Sequence, residues 1–242
     1  MVLVAGPESS GTRIFTEVFS QHHAVSGSPT ASDHYDLMDD IWTDIRSGDR
    51  DAAVSKLATT KLRDVVITRR SLPHGPAVGK PPEYLKFPDF DMFLDVVTEC
   101  GYRLVVFVPT RCPLATVASS VLQRDSVRGD PQKSLNQYQA SLTHITGFCI
   151  RNSIPYFILS LEAAVLDGAA YINSMFSLLG LVSQADLQFC GCSEVNRRRY
   201  EWAAANLTPR LIADEISATE MRDTRKQPNP SGIRGLWRKL AG

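Results

Sequence analysis

Val2-Leu3-Val4-Ala5 is an unbroken apolar run without the alternation of a half-exposed strand, and it reads as a strand buried on both faces. Gly6-Pro7-Glu8-Ser9-Ser10-Gly11 follows as a tight loop, and Ile14, Phe15, Val18 and Phe19 then recur at helical spacing. Three more runs, Val65–Thr68, Leu104–Val108 and Tyr156–Leu159, are rich in β-branched or aromatic residues and predict further buried strands. Between and after them the pattern predicts helices over Phe90–Cys100, Leu114–Gln123 after Pro113, Ser134–Ile150, and Ala169–Leu179 before Gly180. His22 and His23 read as solvent-facing residues ending the first helix, and Pro73–Pro88, with five prolines and two glycines, as an irregular surface loop. Strands alternating with crossover helices predict an α/β fold: a single three-layer domain with a mostly parallel central sheet and helices on both faces. Its expected extent is residues 1–222, with 223–242 as a C-terminal arm rich in Pro, Arg and Lys.

The length of 242 residues suits one such domain. Lys plus Arg and Asp plus Glu each number 26, so the formal net charge is zero and no chain-wide field draws nucleic acid or an anionic membrane. An anion site has to be local. The five cysteines are an odd, scattered set and not a disulfide framework, which points to a reducing, cytoplasmic setting. Cys190 and Cys192 have no second pair at zinc-site spacing, so no metal site is expected. No apolar run approaches the roughly 20 residues that cross a bilayer.

A strand feeding a glycine-rich turn into a helix leaves the first amides of that helix without internal partners, and phosphate fits there. Gly6 and Gly11 flank four residues as in a nucleoside-triphosphate loop, but Thr12-Arg13 follows where that motif has Lys and then Ser or Thr. The bland reading of the segment is a tight turn only. The Leu104–Val108 strand also runs into Pro109-Thr110-Arg111-Cys112-Pro113 and then a helix bearing Ser119 and Ser120.

Taken together these segments resemble the sulfotransferases that use 3′-phosphoadenosine 5′-phosphosulfate (PAPS). Ser9-Ser10-Gly11-Thr12-Arg13 looks like their 5′-phosphosulfate loop, with Gly-Thr-Arg closest to heparan-type members. Arg111, Pro113 and Ser119 are similar to the Arg-x-Pro and later Ser that grip the 3′-phosphate. Tyr156–Glu162 and Phe176–Leu181 look like the late strand and helix, so the resemblance spans about Val2 to Leu181. It implies PAPS as cofactor, with Ser9, Ser10, Gly11, Thr12, Arg13, Arg111 and Ser119 binding it, and sulfuryl transfer to a hydroxyl or amine of a small-molecule or carbohydrate acceptor, without metal.

The chain departs from the family in two places. Ser9 stands where the loop lysine compensates charge on the leaving oxygen, leaving Arg13, or Lys61, Arg69, Arg70 or Lys80, to supply it. For the base, Asp33 or His34 lies where heparan-type members carry a glutamate, and His74 is displaced by three from the histidine of cytosolic members. Asp33 as a helix cap is the plain alternative. Arg197-Arg198-Arg199 reads as a solvated helix face, or as a contact for an anionic acceptor. The rival readings are a P-loop small-molecule kinase, which needs a loop lysine and magnesium, and a non-catalytic nucleotide-binding protein of the same fold.

Overall fold

The computed structural model describes residues 1–26, 35–60, 62, 64–73, 87–123 and 127–188. Within them, five strands form one sheet in the order β2-β3-β1-β4-β5, and every pairing is parallel. The strands are β1 (Val2–Pro7), β2 (Val25–Ser26), β3 (Val65–Leu72), β4 (Val105–Thr110) and β5 (Tyr156–Ser160). The eight helices of the described residues are α1 (Thr12–Phe19), α2 (Tyr35–Ser47), α3 (Arg50–Thr59), α4 (Phe90–Glu99), α5 (Pro113–Gln123), α6 (Pro131–Arg151), α7 (Leu161–Asp167) and α8 (Ala169–Leu178).

Alternation along the strands divides the core into two layers. Leu3, Ala5, Val66, Leu72, Val106 and Val108 face α2, α3, α4 and α6, where Trp42, Phe93 and Phe148 fill the space. Val2, Val4, Ile67, Phe107 and Leu159 face α1, α7 and α8, packed on Phe15, Phe19 and Phe176. Phe19 touches Phe107 and Phe176 with ring centroids 5.2 and 5.5 Å away, so α1 is seated against both the sheet and α8.

The expected strands are present, and each runs on toward its C-terminal end, but β5, expected to be buried, stands at the sheet edge with Tyr156 and Ile158 exposed. β3 continues through Arg69-Arg70-Ser71-Leu72 because β1 pairs with it over its whole length, from Val2 opposite Ile67 to Pro7 opposite Leu72. Four described elements had no counterpart in the hydrophobic pattern: α2, α3, the two-residue β2, and α7. α3 buries only Ala53 and Leu57 and is started by the Asp49 carboxylate accepting from the Ala52 amide.

His22 corrects the sequence reading. The first helix ends at Phe19, and the turn that follows carries His22 inward, 1% exposed against Phe176. Its Nδ1 accepts from the Ala24 amide at 3.1 Å, and that fixes Nε2 as the donor to the Val182 carbonyl, also at 3.1 Å. His23 is exposed, as expected. Most of the predicted Pro73–Pro88 loop, the boundary at 222/223 and the C-terminal arm lie outside the described residues.

Candidate functional site

Parallel strands present all their C-terminal ends at one edge, and a crevice opens there where neighbouring strands lead to opposite faces. β1 and β4 are such a pair. β1 passes through Glu8–Gly11 to α1, on the layer of Phe15 and Phe19. β4 passes through Arg111-Cys112 to α5, which packs on α6, and α6 lies on the other layer. The two strands are in register, Val4 opposite Phe107, and both end three residues later, at Pro7 and Thr110. The loop and Arg111 therefore stand side by side at the same edge.

Their contact is close enough to exclude a side chain. A Cβ on Gly6 would lie 2.7 Å from Ser10 Oγ and 2.9 Å from the Pro109 carbonyl oxygen. Gly11 has φ +103°, the left-handed region that glycine occupies without strain, and there the chain turns into α1. Gly11 brings no side-chain cap to the first turn of α1.

The two loop serines are not equivalent. Ser9 adopts φ 66° and its Oγ accepts from Ser120 Oγ of α5 at 3.4 Å, tying the loop to the helix after β4. Ser10 is 0% exposed, and its Oγ has no hydrogen-bond partner among the described residues. A buried hydroxyl without a partner costs about 1–3 kcal/mol. This orphaned donor, beside an uncapped helix start, fits an anion such as a phosphate ester. Thr12 Oγ1 is 2.7 Å from Ser71 Oγ, anchoring the first turn of α1 to the end of β3.

Arg111, 4% exposed, opens the β4-to-α5 connection, and Ser119, 2% exposed, lies within α5 itself. Arg13 stands apart. Its side chain is 69% exposed, and its Nε donates to Glu17 Oε1 at 2.5 Å, one turn further along α1. Arg70 is nearly buried, its guanidinium 4.4 Å from the Trp42 ring centroid and its Nη1 3.5 Å from Asp39. Asp33, His34, His74, Lys61, Lys80, Cys190, Cys192 and Arg197-Arg198-Arg199 lie outside the described residues. Among the described residues no cluster of three or more His, Cys, Asp or Glu could hold a metal, and no helix is long and apolar enough to cross a membrane.

Several residues at this edge carry no signature in the sequence. A shallow cleft, open to solvent, lies between the loop and α5–α6, with Glu8, Thr116, Ser120, Gln137 and Tyr138 in its walls. Burial, then the nearby Glu162 and Cys112, push the Tyr138 phenol above its ordinary pKa, so it stays a neutral donor at physiological pH. Glu162 accepts from the Cys112 amide at 2.8 Å. Only the Ser-x-Glu that follows the β5 run hints at it, and nothing local ties it to Arg111 fifty positions away.

No family model matches this chain, and no curated protein matches it. Among solved structures the fold is similar to the crystal structure of a sulfotransferase from Alicyclobacillus acidocaldarius, at 13% sequence identity and a TM-score of 0.47, over 82% of this chain and 88% of that one.

Proposed function

We propose that this chain binds 3′-phosphoadenosine 5′-phosphosulfate across the crevice between β1 and β4, and passes its sulfuryl group to a hydroxyl or amine of a small-molecule or carbohydrate acceptor. The observation that carries the reading is Ser10. A fully buried hydroxyl without a partner among the described residues, at a helix start with no side-chain cap and next to the end of β4, is a donor awaiting an acceptor.

In this reading Ser10, Gly11, Thr12 and the amides of α1 hold the 5′-phosphosulfate end, and Ser9 keeps the loop against α5. Arg111 and Ser119 hold the 3′-phosphate, the guanidinium offering a planar fork to an anion. When bound, the nucleotide supplies a sulfuryl group on a leaving phosphate. The chain's own work is to orient that end in line with the acceptor, and to take the acceptor's proton at Asp33 or His34.

A second reading is favoured by Ser9 and Arg13. The loop position that bears lysine in the family is uncharged here, and Arg13 is engaged with Glu17 on the exposed face of α1. A nucleotide-binding protein without transfer activity accounts for both.

Calorimetric titration separates these readings from the kinase alternative. Adenosine 3′,5′-bisphosphate is expected to bind about ten- to a hundredfold more tightly than adenosine 5′-monophosphate, the worth of a charge-assisted bond to the 3′-phosphate. Arg111→Ala should abolish that difference. Tighter binding of ATP with magnesium than of the bisphosphate would overturn the proposal in favour of a phosphotransferase, and binding without transfer to any acceptor in a broad hydroxyl and amine panel would favour the second reading.

A further inference from the structure

Arg111 and Cys112 share one peptide group, and both of its polar atoms are held by side chains from elements distant in sequence. The Cys112 N–H donates to Glu162 Oε1 at 2.8 Å, and the Tyr138 hydroxyl donates to the Arg111 carbonyl oxygen at 3.4 Å. Glu162 is the second residue of α7, which follows β5, while Tyr138 belongs to α6. The carboxylate is itself fixed: Ser160 Oγ donates to Glu162 Oε2 at 3.4 Å while accepting the Ala163 amide at 3.1 Å as the N-cap of α7. Thr110 and Ser160 are register partners of β4 and β5, so the brace springs from two adjacent strand ends.

A peptide unit is planar, so holding its oxygen and its N–H fixes the orientation of the plane and, through it, the direction in which the preceding Cα sends its side chain. We propose that Glu162 and Tyr138 are positioning residues that clamp the Arg111–Cys112 peptide and so aim the Arg111 guanidinium at a phosphate. The inference rests on the nucleotide reading above, and it goes beyond it by assigning positioning work to two residues to which that reading gives no role. The sign of the effect distinguishes a clamp from a bystander. A negative charge beside a phosphate site repels the ligand, so if Glu162 acted only through its charge, removing it would tighten binding. A clamp predicts the reverse for alanine, and little change for glutamine, whose amide oxygen can accept the same N–H.

The test compares wild type with Glu162→Ala, Glu162→Gln, Tyr138→Phe and Arg111→Ala. One readout is the ratio of the dissociation constants of adenosine 5′-monophosphate and adenosine 3′,5′-bisphosphate, which isolates the 3′-phosphate. The other is hydrogen exchange at the Cys112 amide in ligand-free protein. Glu162→Ala is expected to lower the ratio by about tenfold and to speed Cys112 exchange by at least as much, as expected for loss of a bond to a charged acceptor. Glu162→Gln should stay within about threefold of wild type on both, and Tyr138→Phe, which removes only the longer bond, should lower the ratio by about two- to threefold. An unchanged ratio in Glu162→Ala while Arg111→Ala flattens it overturns the clamp alone. So does equal tightening by the alanine and glutamine variants. A wild-type ratio near one overturns the nucleotide reading, and the clamp with it. Should Glu162→Ala fail to fold, Tyr138→Phe carries the same test, and an unchanged ratio there overturns the clamp.

Discussion

Replacing Ser10 by alanine should make the ligand-free protein more stable and the nucleotide complex weaker, two effects of opposite sign from one oxygen atom. Ser10 Oγ is completely buried without a partner among the described residues, and such a group costs about 1–3 kcal/mol. Its removal leaves a space smaller than a methyl group, so about 1 kcal/mol of net stabilisation should remain after lost packing. In a chain of 242 residues that raises the melting temperature by roughly 2–4 °C. In the complex the same hydroxyl donates to an anion, a bond worth about 1.5–3 kcal/mol, so affinity for adenosine 3′,5′-bisphosphate should fall about ten- to a hundredfold. Thermal melts with and without ligand read both effects. At a ligand concentration about a hundredfold above the wild-type dissociation constant, wild type gains about 2.7 kcal/mol, and a variant binding tenfold more weakly gains about 1.4 kcal/mol. Ser10→Ala therefore starts higher than wild type and moves less on adding ligand. A variant that melts lower than wild type without ligand, or that keeps the full ligand-induced shift, refutes the reasoning, because Ser10 would then be satisfied in the empty protein or idle in the complex.

Gly6→Ala drives a Cβ to 2.7 Å from Ser10 Oγ and 2.9 Å from the Pro109 carbonyl; it should cost about 1–3 kcal/mol of stability by overpacking, and adding Ser10→Ala should recover only the part due to the serine, which a double-mutant cycle of melts resolves. If the uncharged Ser9 limits transfer, Ser9→Lys should raise the turnover of sulfuryl transfer with little change in bisphosphate affinity; Arg13→Ala should leave turnover near wild type, since a side chain bonded to Glu17 is not at the loop, and a hundredfold loss in steady-state assays would return Arg13 to the site. Burial pushes the Cys149 thiol from 9.0 up to about 11, so its contribution to stability is complete below pH 9 and is lost as pH rises toward 11, about 2–3 kcal/mol in all. Denaturant titrations at pH 8, 9, 10 and 11 should show that loss in wild type and a shallower one in Cys149→Ala; parallel slopes would rule it out.

Strand interiors are the part of this fold that a reader of the sequence sees, because Val2–Ala5 and Val106–Val108 are buried on both faces and so have no polar positions to break the run. Where polar residues enter a strand the pattern fails, although the physics does not. Arg69-Arg70-Ser71 extends β3 because its backbone pairs with β1 regardless of side chain, and Arg70 is accommodated on Trp42. α3 is illegible for a different reason: a helix that buries two side chains has no apolar stripe. His22 is illegible because a polar ring three residues past a helix looks solvated until Phe176 and the Val182 carbonyl, more than 150 positions on, are seen to receive it.

The site divides along the same line. Loop and arginine are legible because each is a local pattern, a strand that runs into a turn and then a helix. Which loop serine points inward is not, since Ser9 and Ser10 differ only in backbone conformation: Ser9 takes the left-handed turn and reaches α5, which sends the Ser10 hydroxyl into the interior. Nor is the partnership of Glu162 and Tyr138 with the Arg111–Cys112 peptide. It depends on β5 lying next to β4 with Ser160 opposite Thr110, a register set by packing and not by any residue near Arg111. A motif can therefore disclose which group is to meet an anion, while the residues that aim it follow from topology. For that reason substitutions at Glu162, remote from the loop in sequence, should change 3′-phosphate discrimination more than substitutions at Arg13, which lies inside the motif but is paired with Glu17 along α1.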